Sequence, residues 1–86
     1  RRAEEKPLRD SIRKLEKSME SLSAELKAVE SRLADTDTYQ NLPPAELDDL
    51  LKAAAKLRSR RDDAETLWLE QSEKLEALRE TAAQEP

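Results

Sequence analysis

Eighty-six residues, 42% of them charged and 36% hydrophobic, allow one domain but leave little material for a globular core. The chain has no glycine, histidine or cysteine, which excludes a glycine-rich phosphate loop, the usual zinc ligands and the commonest nucleophiles and general bases. We therefore expect no enzymatic site and no cofactor in these residues. The net charge of -4 argues against generic nucleic-acid binding, although the acidic excess lies in residues 35–86 and residues 1–34 are net basic.

The longest apolar runs are three residues, so the sequence predicts no membrane span and no signal peptide. The absence of cysteine leaves no disulfide framework, which is consistent with a reducing cytosol. Because the chain begins with Arg1 rather than methionine, it reads as a segment of a longer protein.

Residues 1–7 have no apolar periodicity, and Pro7 suits the first turn of a helix but not its interior. We predict a linker or a frayed first turn there. From residue 8 to residue 35 the apolar residues follow a heptad repeat, spaced alternately by four and three, which predicts a coiled-coil helix with one apolar seam. The seam residues of this helix are Leu8, Ile12, Leu15, Met19, Leu22, Leu26, Val29 and Leu33.

The helix is predicted to end in a breaker segment, and residues 36–43 are predicted to form a loop. Asp and Thr side chains compete for the backbone from Asp35 onward, and the segment closes with Pro43 and Pro44. Tyr39 and Leu42 are the only large apolar residues here. We expect both to fold back over the end of the seam; the alternative is that Tyr39 is exposed for recognition.

A second helix is predicted over residues 44–80, because Pro44 suits a first helical position and Glu46 suits the first turn. Residues 81–86 are predicted to be a flexible tail. The heptads of the second helix place these residues on its seam: Leu47, Leu50, Ala54, Leu57, Arg61, Ala64, Trp68, Gln71, Leu75 and Leu78.

The two seams match when the chain folds back at residues 41 and 42. In this register the numbers of any two facing seam residues add up to 83. Leu26 then faces Leu57, and Leu15 faces Trp68. The predicted fold is all-α, a two-helix antiparallel coiled-coil hairpin over residues 8–80. We read Trp68 as a packing anchor, the alternative being a base-stacking platform.

Arg61 interrupts the seam opposite Leu22. Its stem can lie along apolar surface while its guanidinium turns toward Asp62 or Glu65, or a local change of helical phase can rotate the whole side chain out.

Two pairs of adjacent acids, Asp48 with Asp49 and Asp62 with Asp63, resemble catalytic or metal-binding pairs. Adjacent residues on a helix point about 100° apart, so neither pair converges on one site. We expect both pairs to lie on solvated helix surface and predict no metal site.

Basic residues without intervening acids occupy the middle of the second helix. Lys52, Lys56 and Arg60 recur every four residues, which puts them in a stripe on one face, and the hairpin register places Lys27 close to Lys56. Such a stripe is a candidate phosphate track, with Arg58 beside it. The alternative is that these cations pair with neighbouring acids. A second basic group, interleaved with acids, consists of Arg1, Arg2, Lys6, Arg9, Arg13, Lys14 and Lys17.

Nearly the whole chain resembles the C-terminal coiled-coil domain of the ABC-F ATPases of the Uup/YheS type. Three landmarks carry the resemblance: the run from Leu15 to Leu22, the corner from Leu33 to Tyr39, and a pattern formed by Trp68, Glu70, Glu73, Leu75 and Glu76. The resemblance implies a cytoplasmic bacterial protein with two ATP-binding cassettes upstream, which bind and hydrolyse ATP and act on the ribosome in translation. Residues 1–6 would then end the linker from the second cassette.

The sequence leads to two hypotheses for function. The first is a binding module that contacts ribosomal RNA or another nucleic acid through Lys52, Lys56, Arg58, Arg60 and Lys27. The second is a structural spacer or oligomerisation coiled coil that contacts only protein. In both, these residues hold no catalytic site; a cofactor, ATP, belongs to the upstream cassettes.

Overall fold

The computed structural model describes the backbone of residues 2–84 and the side chains of residues 3–84. Three helices follow one another: α1 (Arg2–Ala34), α2 (Thr36–Asn41) and α3 (Pro44–Gln84). Residues 2–84 contain no strand, so the predicted all-α fold class is confirmed. The molecule measures 68 × 16 × 14 Å, which makes it an elongated rod only slightly wider than one helix with its side chains.

Helix α1 begins earlier than predicted, and the linker expected over residues 1–7 is wrong for residues 2–7. Glu4 and Glu5 lie in the first turn, where negative charge complements the helix dipole. Lys6 binds Asp10 one turn later, with Nζ 2.8 Å from Oδ2. Pro7 is the sixth residue of α1, and the helix continues through it although proline cannot donate the backbone hydrogen bond to residue 3. Arg1 is outside the described residues.

The predicted loop over residues 36–43 contains a short helix, α2, so the two-helix description is corrected to three helices. Asp35 caps α2: its backbone is extended, and its side chain accepts a hydrogen bond of 3.0 Å from the Asp37 N–H. At the other end the Leu42 N–H donates to the Thr38 carbonyl at 3.0 Å. Asp35 therefore follows the end of α1 and caps the start of α2. A search for helix breakers does not distinguish such a residue from the start of a loop.

Tyr39 does not cover the end of the seam. Its side chain lies on α2 and is 53% exposed, so the expected fold-back of Tyr39 is wrong, whereas Leu42 is partly buried. Leu42 lies in a groove with Leu50 and Ala53 of α3. Within α2 the partly buried residue is Thr38, and the adjacent Tyr39 is exposed to solvent.

Helix α3 begins at Pro44 as predicted, but it continues to Gln84. The predicted tail over residues 81–86 is therefore wrong for residues 81–84. The Thr81 hydroxyl donates to the Ala77 carbonyl at 2.9 Å, and Ala82 is partly buried, so the last turn still packs against the rod. Residues 85 and 86 lie outside the described residues.

Helices α1 and α3 lie side by side with opposite chain directions. Near one end, Arg79 Nε is 2.9 Å from Glu5 Oε1; nearer the turn, Arg58 Nη2 is 3.9 Å from Glu30 Oε1. All predicted seam positions of both helices are buried or partly buried. The tightest cluster, with Val29 and Leu33 packed against it, consists of Leu22, Leu26, Ala54 and Leu57.

The two unusual seam residues keep their places. Helix α3 is α-helical through Arg61, so the alternative of a change in helical phase is wrong. The Arg61 side chain is 36% exposed, and its Nη2 lies 3.8 Å from Asp62 Oδ1, as one of the two predicted arrangements requires. Trp68 is partly buried, and its indole N–H is buried without a hydrogen-bond partner.

No helix within residues 2–84 combines the length and the apolar character that crossing a membrane requires.

Candidate nucleic-acid interface

Lys56 and Arg60 form the centre of the candidate interface. They lie four residues apart on α3, which makes them neighbours on the helix surface. Both side chains are exposed, and within residues 3–84 neither has an ion pair or a side-chain hydrogen bond. Two cations in this state are available to an external anion without first releasing a protein partner.

Lys52 lies one turn before Lys56 but is paired. Its Nζ is 2.9 Å from Asp48 Oδ2, and both side chains are exposed. An exposed pair of this spacing contributes about 0.3 to 0.5 kcal/mol, so a phosphate can replace Asp48 at little cost. Lys52 therefore supports the site less directly than Lys56 and Arg60 do.

Arg58 lies on a different side of the rod. It is two residues from both Lys56 and Arg60, which corresponds to about 200° around a helix of 3.6 residues per turn. Arg58 crosses to α1 and pairs with Glu30, and both side chains are about half exposed. This ion pair assigns Arg58 to holding the two helices together, in agreement with the alternative that neighbouring acids neutralise part of the basic segment.

Lys27 lies on the side of the rod that carries Arg58. It borders a shallow groove together with Ser23, Glu30 and Arg61, and Glu30 is the partner of Arg58. The expectation that Lys27 lies close to Lys56 is therefore wrong. The register places the two lysines at the same level of the rod, but they point to opposite sides of it.

The five candidate residues thus divide between two sides of the rod. We call the side with Arg58, Glu30 and Lys27 the Arg58 side, and the side with Lys56 and Arg60 the Lys56 side. Lys52 points outward from α3, next to the Lys56 side. The structure brings together Lys52, Lys56 and Arg60 and separates them from Arg58 and Lys27.

Sequence reasoning missed the pairing of Arg58 with Glu30. The signal was present, because each of these residues directly follows a seam residue, Leu57 in α3 and Val29 in α1. In an antiparallel pair of helices, positions that directly follow seam residues face each other across one edge of the interface. Opposite charges at two such positions indicate an ion pair between helices.

The second basic group is partly neutralised. Asp10 lies 2.8 Å from Lys6 and 4.0 Å from Arg13. The hydrogen bond from Lys6 lowers the pKa of the Asp10 carboxyl below its ordinary value, and the positive charges of Lys6, Arg13 and Arg9 act in the same direction. Arg9, Lys14 and Lys17 are exposed, and in the part of the chain with described side chains they have no ion pair. Arg1 and the side chain of Arg2 lie outside that part.

The adjacent acids do not form a site. Asp48 binds Lys52, and Asp62 lies beside Arg61. Asp49 borders a different groove, together with Arg32. Among the described residues no three acidic side chains converge in a way that could hold a metal ion.

Comparison of the chain with protein-family models, with curated proteins and with solved structures gives no match in any of the three.

Proposed function

We propose that this chain is a nucleic-acid-binding or ribosome-binding accessory domain of an ABC-F ATPase, built as an antiparallel coiled-coil hairpin and acting in translation in the cytoplasm. The observation that carries the proposal is the pair of exposed, unpaired cations Lys56 and Arg60, next to Lys52, on one side of a long rod. The ABC-F membership rests on the sequence landmarks described above.

The coiled-coil register is part of the proposal. Pairing positions that sum to 83 puts Leu26 opposite Leu57 and Val29 opposite Ala54. The common cluster of these four side chains supports that register. A hairpin of this kind holds its surface charges at fixed spacings, because each helix stiffens the other.

The proposed chemistry is neutralisation of backbone phosphates. Each lysine or arginine that contacts a phosphate releases counterions from the nucleic acid, so binding weakens steeply as salt increases. The negative net charge of the domain limits its overall attraction to nucleic acid and makes binding depend on the local stripe. ATP would be hydrolysed by cassettes upstream of these residues, and the hairpin would position them on the ribosome or its RNA.

A charge-reversal experiment tests the proposal. Lys56→Glu/Arg60→Glu should strongly weaken binding to ribosomal RNA or ribosomes, measured by fluorescence anisotropy or co-sedimentation over a range of salt. The matched control is Arg9→Glu/Lys27→Glu, which makes the same change in charge at two exposed positions on the Arg58 side that have no ion pair within residues 3–84. Arg9 lies on this side because it directly follows the seam residue Leu8, as Glu30 directly follows Val29. Both variants should retain parental helicity, because exposed positions contribute little to folding.

The control should bind nearly as well as the parent. If both variants weaken binding equally, binding depends only on net charge, and the assignment of the phosphate-binding site to Lys56 and Arg60 is wrong. If neither the parent nor the variants bind, the nucleic-acid function is wrong.

A second candidate is a spacer or oligomerisation hairpin that contacts only protein. Three exposed leucines on α3 favour it: Leu51, Leu67 and Leu69, each about half exposed. Sedimentation of the isolated chain distinguishes this candidate, because a self-associating hairpin forms larger species as its concentration rises.

A further inference from the structure

A second group of unpaired cations lies on the Lys56 side, toward the end of the rod where the chain termini lie. Lys74 belongs to it. Lys74 directly precedes the seam residue Leu75, just as Arg60 directly precedes Arg61, so the two side chains lie two heptads apart on the same side. In agreement with this, Lys74 borders a groove with Leu8 and Leu78. A separate groove, on the other side, contains Arg79.

Lys14 and Lys17 of α1 join this group. Arg32 marks the Lys56 side of α1, because it borders a groove with Ala53, which is seven residues before Arg60. Lys14 directly precedes the seam residue Leu15, as Arg32 precedes Leu33, and so lies on the same side. Lys17 follows Lys14 by three residues and is its neighbour on the helix surface, pointing outward.

The register brings these lysines close to Lys74. Positions that sum to 83 place Lys14 level with residue 69 of α3 and Lys17 level with residue 66. At 1.5 Å per residue, Lys74 is about 8 to 12 Å further along the rod. We call Lys14, Lys17 and Lys74 the end cluster, and Lys56 and Arg60 the central cluster. The centres of the two clusters are about 18 Å apart along the rod.

The two sides of the rod differ in how many of their cations are paired. On the Arg58 side, Arg58, Arg79 and Arg13 have acidic partners, whereas Arg9 and Lys27 have none within residues 3–84. In the end cluster all three lysines are exposed, and within residues 3–84 none has an ion pair. Three acids also lie on the Lys56 side near the two clusters: Glu25, Asp63 and Glu70. None of these three forms an ion pair with a cation of either cluster within residues 3–84.

We propose that the end cluster is a second phosphate-binding site, and that one nucleic-acid molecule spans it and the central cluster. This inference rests on the proposed function. Recognition would be through the phosphodiester backbone, since neither aromatic side chain is placed for base stacking on this side: Trp68 is in the seam, and Tyr39 is on α2 at the turn. The α1 lysines make the site a property of the folded hairpin, because α3 alone supplies only Lys74.

The length of the ligand provides the first test. Lys56 and Lys74 are about 27 Å apart along α3, which corresponds to about ten base pairs of an A-form RNA stem at about 2.8 Å each. RNA hairpins with stems of about 5 and about 12 base pairs are the probes. The parent chain should bind the longer stem more tightly and with a steeper dependence on salt, because only that stem spans the whole distance from Lys56 to Lys74 and so can contact every cation of both clusters.

The second test removes the end cluster. Lys14→Gln/Lys74→Gln should lower the salt slope for the longer stem by about 1.4 to 1.8, since each lost phosphate contact removes about 0.7 to 0.9. The preference for the longer stem should shrink with it. The matched control, Arg9→Gln/Lys27→Gln, removes two exposed, unpaired cations from the Arg58 side and should leave the slope and the preference unchanged. Circular dichroism checks that both variants remain helical.

The outcomes separate this inference from the proposed function. If Lys14→Gln/Lys74→Gln binds both stems like the parent while Lys56→Glu/Arg60→Glu loses binding, the end cluster is wrong and the central site stands. If both double glutamines reduce the slope equally, the effect is one of net charge and the end cluster is wrong. If the parent binds neither stem, the proposed function and this inference both fall.

Discussion

Glu5 and Arg79 are 74 residues apart in the sequence, yet Arg79 Nε donates a hydrogen bond of 2.9 Å to Glu5 Oε1. The Glu5 side chain is only 19% exposed, so this pair is better shielded from solvent than the others on the surface. It joins the first turns of α1 to the last turns of α3. Residues 2–7 have no apolar seam, and this contact ties them to α3.

We expect Arg79→Ala to lower the free energy of unfolding by up to about 1 kcal/mol, the usual range for an ion pair that is partly exposed. Amide hydrogen exchange at Lys6 and residues 8–10 should become faster, because the start of α1 loses its contact with α3. Arg9→Ala is the control, since Arg9 is exposed and unpaired within the described side chains. Equal exchange in the two variants would contradict a role for the pair.

The indole N–H of Trp68 is buried and has no hydrogen-bond partner among the described residues. Removing an aromatic side chain from a core lowers the free energy of unfolding by about 3 to 5 kcal/mol. Trp68→Ala should lower it by less, because the Trp68 side chain is only partly buried. Trp68→Phe should cost much less, because it retains an aromatic ring and removes a buried N–H whose desolvation costs about 1 to 3 kcal/mol.

Chemical denaturation followed by circular dichroism measures both Trp68 variants. Leu69→Ala, at an exposed neighbouring position, should change stability by less than about 0.5 kcal/mol. If Trp68→Phe is as damaging as Trp68→Ala, the indole N–H makes a contact that stabilises the rod.

The lowered pKa of Asp10 predicts a dependence of stability on pH. Folding lowers this pKa, so ionised Asp10 stabilises the folded chain. This stabilisation is fully present above the unfolded-state pKa and is lost as the pH falls through the folded-state pKa. Lys6→Met should raise the Asp10 pKa toward its ordinary value of 3.8, measured by NMR titration of the carboxyl carbon. Lys17→Met should leave it unchanged. An unchanged pKa in Lys6→Met would mean that the hydrogen bond between Lys6 and Asp10 does not form in solution.

Much of the fold could be predicted because heptad spacing reports burial directly. Every seam position from Leu8 to Leu78 is buried or partly buried, and the double proline located the start of α3. The errors lie where the seam is absent. Residues 2–7 contact a distant residue, Arg79, and α2 is capped by the side chain of Asp35. Apolar periodicity carries no signal of either interaction.

The candidate site was less predictable, because its residues had to be assigned to a side of the rod as well as to a level along it. Matching levels alone put Lys27 beside Lys56, although the rod separates them. The heptad position of Glu30 contains the missing information, since it directs Arg58 across the interface and away from Lys56. Charge runs in the sequence show where cations are, and the pairing across the helices decides which of them remain free.

The adjacent residues Arg60 and Arg61 differ in burial, since Arg60 is exposed and Arg61 is partly buried. Arg61 lies in the seam with its side chain 36% exposed, and its ion pair with Asp62, at 3.8 Å, is a weak one on the surface. Leu22, which the register places opposite, is buried. Arg61→Leu should therefore raise the free energy of unfolding by about 1 kcal/mol, less than the 1.5 to 3 kcal/mol of full burial, because the site is only partly enclosed.

Arg60→Leu is the matched comparison, because it makes the same substitution at an exposed position. It should change stability by less than about 0.5 kcal/mol and should weaken RNA binding, whereas Arg61→Leu should leave binding unchanged. Thermal unfolding and anisotropy on the same two proteins measure both effects. A loss of stability in Arg61→Leu would show that its guanidinium makes a polar contact worth more than the filled seam. A loss of binding in that variant would place the phosphate site on the Arg58 side, since Arg61 borders the groove that contains Lys27.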